Sequence, residues 1–276
     1  MSVVVRDAEI NKAKELIYEL AGIHLSNDKD LAIKNRLNKL IKSCNIQNFD
    51  DFFSQLKTGK FKQEFINTFT NNKTDFFRED FHFVDMLDRI LPHRLKESEP
   101  LKIWCSASST GEEPYSIAAT LSYGRDIYRS NTPCSILATD IDTSVLETAK
   151  IGEYVVDTCI TPLPEWLDLE NSFDITPKSE RNVFIKVKPS LKNFITFKQL
   201  NLQLSTYPFG INEFDIIFCR NQIIYFKIED QEKVLKKIFS YLKIGGTLYL
   251  GHSESPLGIQ NKVEKLGQNI FIKVMD

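Results

Sequence analysis

The sequence predicts an α/β protein: an open, doubly wound parallel sheet that follows a small all-helical N-terminal domain and carries a small inserted β-subdomain. Three observations lead there. Up to about residue 97 apolar residues recur at three- and four-residue intervals, the spacing of one helix face, and no strand-like alternation interrupts them. Beyond the polar run Lys96-Glu97-Ser98-Glu99-Pro100, short β-rich runs alternate with helical stretches, the pattern of parallel strands joined by crossover helices. Between residues 152 and 190, four prolines, Trp166 and two short β-like runs break that rhythm and mark an insertion. Two domains are expected, residues 1–97 and 98–276, with the insertion at about 152–190 inside the second, and 276 residues suffice for both.

In chain order, helices are expected over Ala8–Gly22, Leu31–Cys44 and Phe49–Lys57, with Gly22 and Gly59 as stops because glycine readily adopts the left-handed conformation that ends a helix. Strands are expected at Leu101–Cys105, Ser135–Thr139, Phe194–Lys198, Asp215–Cys219 and Thr247–Gly251, and helices near Pro114–Tyr123, Thr143–Lys150 and Ile228–Leu242. The composition, 42% hydrophobic and 26% charged, is that of an ordinary globular chain. No stretch approaches the roughly 18 apolar residues of a membrane span, and the start is too short and too acidic for a signal peptide. A soluble cytoplasmic protein without membrane insertion is expected. Thirty-five basic residues against 37 acidic ones disfavour nucleic acid as a partner. The five cysteines form no CxxC pair and the four histidines no HxxxH or HExxH pair, so neither a disulfide framework nor a metal site is expected.

In open α/β sheets ligands bind beyond the carboxyl ends of the strands, so the residues leaving each strand carry the functional signal. The first strand runs into Ser106-Ala107-Ser108-Ser109-Thr110-Gly111-Glu112-Glu113-Pro114. Small side chains there, Ala107 among them, let a ligand reach the backbone, and Pro114 suits a first helical turn. The run lacks GxGxxG spacing, and Glu112 and Glu113 would repel a pyrophosphate at a helix N-terminus, which argues against a dinucleotide. A carboxylate accepts hydrogen bonds from a ribose or an ammonium group instead, which suits a nucleoside carrying an amino acid. The second strand ends in Ala138-Thr139-Asp140-Ile141-Asp142. Asp140 stands where such folds bind ribose hydroxyls, and an acid after a strand is also a common helix N-cap, a role open to Asp140 and Asp142 alike.

The strand Asp215–Cys219 opens into Arg220-Asn221-Gln222 and an aromatic turn containing Tyr225 and Phe226. Polar residues at that exit would face the crevice; a plain structural account makes Asn221 a turn residue and Tyr225 packing. Outside the sheet, Asn71-Asn72-Lys73-Thr74-Asp75-Phe76-Phe77-Arg78-Glu79-Asp80-Phe81 interleaves polar groups with phenylalanines. It can line a cleft between domains, and it can start a helix capped by Asn72 or Thr74 that buries Phe76, Phe77 and Phe81.

These segments, in this order, resemble the CheR family of chemotaxis receptor methyltransferases, which use S-adenosylmethionine to esterify glutamate side chains on receptor signalling helices. The resemblance rests on Asn72–Arg78, Ser109–Ser116, Ala138–Thr143, Phe218–Tyr225 and Gly251–Glu254, across about residues 70–255, and the earlier helices look like the family's helical N-terminal domain. It implies a Rossmann-like methyltransferase sheet and protein-glutamate O-methyltransferase activity, with S-adenosylhomocysteine as product. Asn72, Thr74 and Arg78 would then reach the cofactor from the helical side, and Ala107 would border it. Glu113 and Asp140 would hold its amino-acid and nucleoside polar groups, Asn201 and Leu202 would flank the adenine, and Arg220 and Asn221 would close the pocket. Arg78 and Tyr225 would be the catalytic residues.

Two departures from the family pattern stand out. Gln222 follows Arg220-Asn221 where an apolar residue is usual, and residues 171–184 contain no glycine. Some members grip a pentapeptide at the receptor's tail through a glycine-containing loop of the inserted subdomain. Pentapeptide-independent binding to chemoreceptor cytoplasmic signalling domains is therefore the expectation. The alternative that keeps fold and cofactor is a catalytically degenerate regulatory or scaffold module that binds S-adenosylmethionine.

Methyl transfer from a sulfonium to a carboxylate is a single in-line displacement, and an exposed glutamate with a pKa of about 4.3 is already ionised at neutral pH. No general base is required. Charge cancels in the transition state, so positioning and exclusion of water carry the rate. Arg78 would form a fork to the incoming glutamate or to the cofactor's own carboxylate, and Tyr225 would donate a hydrogen bond or contact the methyl edge. On the second helix Leu37, Leu40, Ile41 and Cys44 share one face, while Lys34, Arg36, Lys39 and Lys42 spread over the opposite arc. That basic surface is either an ordinary solvated face or the dock for acidic receptor helices.

Overall fold

The computed structural model describes residues 4–276. Four helices come first: α1 (Asp7–Ala21), α2 (Asp30–Ser43), α3 (Phe49–Lys57) and α4 (Lys62–Phe69). Helix α1 stops because Gly22 turns left-handed, at φ 72°, and returns its N–H to the Tyr18 carbonyl. Helix α3 starts where the Asn48 side chain accepts from Asp50 N. Their apolar stripes, including Ile17, Leu37, Phe52 and Phe65, close into one core. The first three helices match the sequence expectation to within one residue. Helix α4 was not expected, because it begins after the left-handed Phe61 with no polar cap to announce it.

Residues 70–80 then cross to the sheet without regular helix. The expected helix start at Asn72 or Thr74 lies at Phe81 instead: α5 (Phe81–Asp85), a π-turn at Met86–Ile90 and α6 (Leu91–Arg94) run end to end. The amide of Asn72 donates to Asp142 Oδ2 at 2.8 Å, so the would-be cap is tied to the sheet. Phe76 and Phe77 are buried, as read from the sequence, while Phe81 is only half-buried. Residues from Phe76 to Leu95 pack into the sheet's core rather than the helical one.

The second part runs β1 (Leu101–Cys105), α7 (Glu112–Tyr128), β2 (Cys134–Asp140), α8 (Thr143–Ile151), β3 (Glu153–Asp157), α9 (Leu169–Ser172), β4 (Phe173–Pro177) and β5 (Asn182–Val187). It continues through α10 (Pro189–Lys192), β6 (Ile195–Gln199), β7 (Phe214–Cys219), α11 (Ile228–Ser240), β8 (Leu242–Leu250), β9 (Val263–Gly267) and β10 (Ile270–Lys273). The central sheet has the order β6-β2-β1-β7-β8-β10-β9. The pairs from β6 to β8 are parallel, and β10 pairs antiparallel with both β8 and β9. All five expected strands are present; the β9–β10 hairpin adds two more that were not expected. The insertion folds as a separate antiparallel sheet, β3-β5-β4, with three strands where two β-like runs were read.

This order places the functional crevice. After β1 the chain builds outward through β2 and β6, then returns to lay β7 and β8 on the other side of β1. The loops leaving β1 and β7 therefore part in opposite directions and open a gap at the carboxyl edge. Beneath it, Trp104 is fully buried, its ring packed on Tyr207, Phe209, Phe214 and Tyr241 and its Nε1 donating to Thr139 Oγ1 at 3.0 Å. No helix among the described residues is long and apolar enough to cross a membrane. Trp104→Ala, which empties a fully buried site on β1, is expected to cost about 3–5 kcal/mol of unfolding free energy, read by urea denaturation. A loss below about 1 kcal/mol would show that the ring does not support the sheet.

Candidate active site

A cavity of about 360 Å³ occupies the gap between the helical part and the carboxyl edge of the sheet, within the size range of small-ligand pockets. Its walls bring together Asn72, Thr74, Arg78, Ala107, Glu113, Asp140, Asn201, Leu202, Arg220, Asn221 and Tyr225. The structure thus collects on one cleft residues spread over 150 positions of sequence.

The β1 exit turns through Gly111, whose φ is 105° and where an added Cβ would meet the Tyr154 hydroxyl at 2.7 Å. The turn starts α7 with two acids pointing different ways. Glu112 folds back to accept from Thr110 Oγ1 at 2.6 Å, and burial pushes its carboxyl up to about 7. Glu113 faces the cleft, accepting from Cys105 Sγ at 3.2 Å and lying 3.1 Å from Arg220 Nη1. Burial raises the Glu113 carboxyl above the usual range, and Arg220 opposes that rise.

At the β2 exit the two aspartates divide the roles left open by the sequence. Asp142 is the N-cap of α8, accepting from Ser144 N and Val145 N. Asp140 lines the cavity, accepts from Ser109 N at 2.8 Å and from Asp142 N at 3.0 Å, and burial pushes it up to about 6. Asn72 reaches this edge through Asp142, and its carbonyl accepts from Ser109 Oγ at 2.9 Å.

The β7 exit is fastened by an acid that sequence reasoning passed over. Glu254 accepts from the backbone amides of Asn221, Gln222, Ile223 and Gly251 at 2.7–2.9 Å. It lies in the Gly251-His252-Ser253-Glu254 block, to which the sequence assigns no role. Asn221 is left-handed, at φ 56°, so the turn reading holds, and the residue lines the cavity as well. Gln222 is buried, and its amide donates to Ser106 Oγ and to Cys219 Sγ. Arg220, 1% exposed, lies against Glu113 and Glu79, donates to the Arg78 carbonyl and sits over the Phe83 ring. Glu79 was also missed. Burial works against its ionisation, but the His252 ring and Arg220 outweigh it and leave the carboxyl below the usual range.

Arg78 lines the cleft with one bond, Nη1 to the Lys73 carbonyl at 3.3 Å. Tyr225 stands across the mouth; its carbonyl accepts from His24 N at 2.8 Å and its hydroxyl from Asn71 Nδ2 at 2.6 Å. Asn201 lines the cavity, where the sequence places it; its amide nitrogen also donates to the Leu20 carbonyl and its oxygen accepts from Gln203 N, so the side chain joins α1 to the sheet. One sequence assignment changes. Arg36 does not share the exposed surface of Lys34, Lys39 and Lys42: it is half-buried, lines the cleft and donates to the carbonyls of Thr68 and Thr70. It lies three residues after Ile33, one turn along the buried stripe of α2.

The donor set suits an amino-acid nucleoside. Glu113 could accept from an ammonium group and Asp140 from ribose hydroxyls, and both line the cavity. Arg220 Nε is buried without a hydrogen-bond acceptor, while Nη1 faces the Glu113 carboxylate at 3.1 Å. Residues 72–272 match the family described as CheR methyltransferase, SAM binding domain, and residues 8–70 that described as CheR methyltransferase, all-alpha domain.

The chain belongs to the CheR methyltransferase family.

It is similar to the chemotaxis protein methyltransferase of Borreliella burgdorferi, 35% identical over 95% of this chain and 93% of that protein. The corresponding protein of Escherichia coli is 33% identical over 96% of this chain and 90% of its own length. Chemotaxis protein methyltransferase 2 of Pseudomonas aeruginosa is 32% identical over 95% and 92%. The chain is thus an S-adenosylmethionine-dependent chemotaxis methyltransferase of the CheR type. Its cleft holds two acids, Glu113 beyond β1 and Asp140 at the end of β2.

An ionised carboxylate is a stronger acceptor for ribose hydroxyls than a protonated one, and burial raises Asp140 to about 6 in the free protein. If Asp140 holds the ribose, binding is favoured by loss of a proton below that pH. Measured by calorimetry, S-adenosylhomocysteine affinity should then hold steady from pH 8 to 7 and weaken, by up to about tenfold per pH unit, well below 6. Glu113, raised by the same cause, can only steepen the fall. An Asp140→Asn variant that keeps the wild-type pH profile would show that this carboxyl is not the titrating group.

Proposed function

We propose that the chain methylates glutamate side chains on the cytoplasmic signalling helices of chemoreceptors, forming methyl esters, and that it works in the cytoplasm. One observation carries this reading: Arg78 and Tyr225 stand at the mouth of the cavity whose depth holds Glu113, Asp140 and Arg220. When bound, S-adenosylmethionine supplies an activated methyl group on a sulfonium. The residues of this chain do the rest by placement. Glu113 and Asp140 fix the two polar ends of the cofactor, Arg220 and Asn221 close the pocket, and Thr74 and Ala107 line it. Arg78, bonded only through Nη1, has the remainder of its fork free for the acceptor carboxylate. Tyr225 offers a neutral donor beside it. Ile23, Leu25, Ile33 and Phe69 give the cleft apolar walls that keep water from the reacting groups.

The division of labour follows the chain. Residues 1–97 dock the receptor and cover the cleft, and residues 98–276 hold the cofactor, with about 152–190 as the inserted subdomain. Lys34, Lys39 and Lys42 are exposed on α2 and form the basic docking surface, without Arg36. The β4–β5 turn, Lys178–Arg181, contains no glycine, which supports binding that needs no receptor-tail pentapeptide. Near-neutral net charge leaves nucleic acid out of the reading.

Incubation with S-adenosylmethionine labelled on the methyl and a membrane fraction containing chemoreceptors should yield protein-bound label that alkali releases as methanol. Label stable to alkali would mean an acceptor other than a carboxylate. Arg78→Ala should lower this turnover about a hundredfold or more with the fold intact, and near-normal turnover would remove Arg78 from the mechanism. Reversing the charge of Lys39 and Lys42 together should raise the receptor KM about tenfold while cofactor affinity stays the same. An unaltered KM would exclude that face as the dock.

A further inference from the structure

Residues 70–75 cross the cleft mouth as a strap between the helical part and the sheet. On one side the strap is held to the β2 edge by Thr70 and Asn72, which both donate to Asp142 Oδ2, and by Ser109 Oγ, which donates to the Asn72 carbonyl. On the other side the Tyr225 backbone is held independently, through His24 N to its carbonyl and its own N–H to the Gln222 carbonyl. One side-chain bond spans the gap between them, from Asn71 Nδ2 to Tyr225 Oη at 2.6 Å. Neither the strap nor the turn needs this bond to stay in place.

What the bond does settle is the direction of a proton. A phenol hydroxyl has one proton and two lone pairs, and an amide nitrogen is a donor only. With Asn71 donating to its oxygen, Tyr225 must point its own proton away from Asn71, and Tyr225 itself lines the cleft. A donor on the oxygen also polarises the O–H and makes it a stronger donor in turn.

We propose that Asn71 is a positioning residue for the methyl transfer, its amide turning the Tyr225 hydroxyl proton toward the acceptor carboxylate. This rests on the reading that Tyr225 contacts the acceptor. The test measures kcat and KM with labelled S-adenosylmethionine and a chemoreceptor cytoplasmic fragment, and S-adenosylhomocysteine affinity by calorimetry. The enzymes compared are wild type, Asn71→Ala, Asn71→Asp, Tyr225→Phe and the double variant Asn71→Ala/Tyr225→Phe.

Asn71→Ala should lower kcat about fivefold, the worth of one ordinary hydrogen bond, with KM and cofactor affinity held within about twofold. Asn71→Asp keeps the shape but reverses the bond, because a carboxylate accepts the phenol proton and draws it out of the cleft. It should lower kcat by about twentyfold, as a charged partner holds that proton more strongly. In the Tyr225→Phe background the Asn71→Ala change should have no further effect. An additive double variant, or Asn71→Asp with wild-type kcat, overturns the proposal. Cofactor affinity that falls together with kcat in Asn71→Ala also overturns it, since that is the behaviour of a simple clasp. A Tyr225→Phe enzyme with wild-type kcat instead overturns the reading of Tyr225, whereas an impaired Tyr225→Phe with additive behaviour removes Asn71 alone.

Discussion

A buried guanidinium holds this site together. Arg220 has 1% of its side chain exposed and lies between Glu113 at the start of α7 and Glu79 beyond Arg78, with its own donation going to the Arg78 carbonyl. A cation out of water must be compensated, and removing one partner of a buried pair costs about 3–5 kcal/mol. Three segments far apart in sequence are thereby drawn onto one point. The loop carrying Arg78, the helix start carrying Glu113 and the β7 exit cannot separate without stranding a charge. The same network brings Glu113 and the loop carrying Arg78 into register, so the geometry of the cleft depends on the electrostatics around Arg220.

Backbone strain collects in the same place. Phe77, Glu79, Ser109 and Asn221 all have positive φ, a conformation that costs side-chain-bearing residues of order 1–3 kcal/mol each. Phe77 N donates to Ser116 Oγ, and the other three are held through carboxylates. Ser109 N donates to Asp140, Asn221 N to Glu254, and Glu79 takes the His252 ring nitrogen at 2.9 Å. Glu254 is the fullest case: a left-handed turn leaves successive N–H groups pointing inward, and a buried carboxylate that accepts four of them fills the concavity. An added Cβ at Gly251 would collide with Asn221, so the glycine allows the two loops to touch. Sharp turns aim Arg78, Arg220 and Tyr225 into the cleft, and the acids hold those turns against their strain.

The central strands were legible because strands buried on both faces read as plain apolar runs, and the switch point followed from their order. The clefted residues were legible through motif resemblance, since each sits within a few positions of a strand end. The other features were hidden for identifiable reasons. Helix α4 starts from left-handed Phe61 without a cap, so its apolar positions had no boundary to give them phase. The β9–β10 hairpin carries its signal in Gly267, Gln268 and Asn269, all with positive φ, a turn sequence that could have been read. Glu79 and Glu254 act through partners far along the chain, and nothing local separates them from the other acids among 37. Arg36 was misplaced for the opposite reason. Its residue type fits a surface, but its acceptors are the carbonyls of Thr68 and Thr70, and carbonyl partners leave no trace in sequence.

The two-part architecture also suits the proposed chemistry. An acceptor carboxylate arrives as a hydrated anion, and a reaction in which charge cancels is slowed by whatever stabilises separated charges. A cleft crowded with free cations would bind the acceptor well and react it poorly. Here Arg220 is paired with Glu113 and Glu79, while Arg78 and Tyr225 line the cleft where the proposed reaction would place the acceptor. The sheet supplies that polar floor, and much of the apolar wall comes from Ile23, Leu25, Ile33 and Phe69 of the helical part. That part is joined to the sheet on both flanks of the cleft, by Asn201 to the Leu20 carbonyl and by Gln63 to the Ile141 carbonyl. The helices therefore do more than present a docking face. In the proposed reaction, excluding water over a polar floor would let an ionised carboxylate act as nucleophile without a base to activate it, and both parts contribute walls to that cleft.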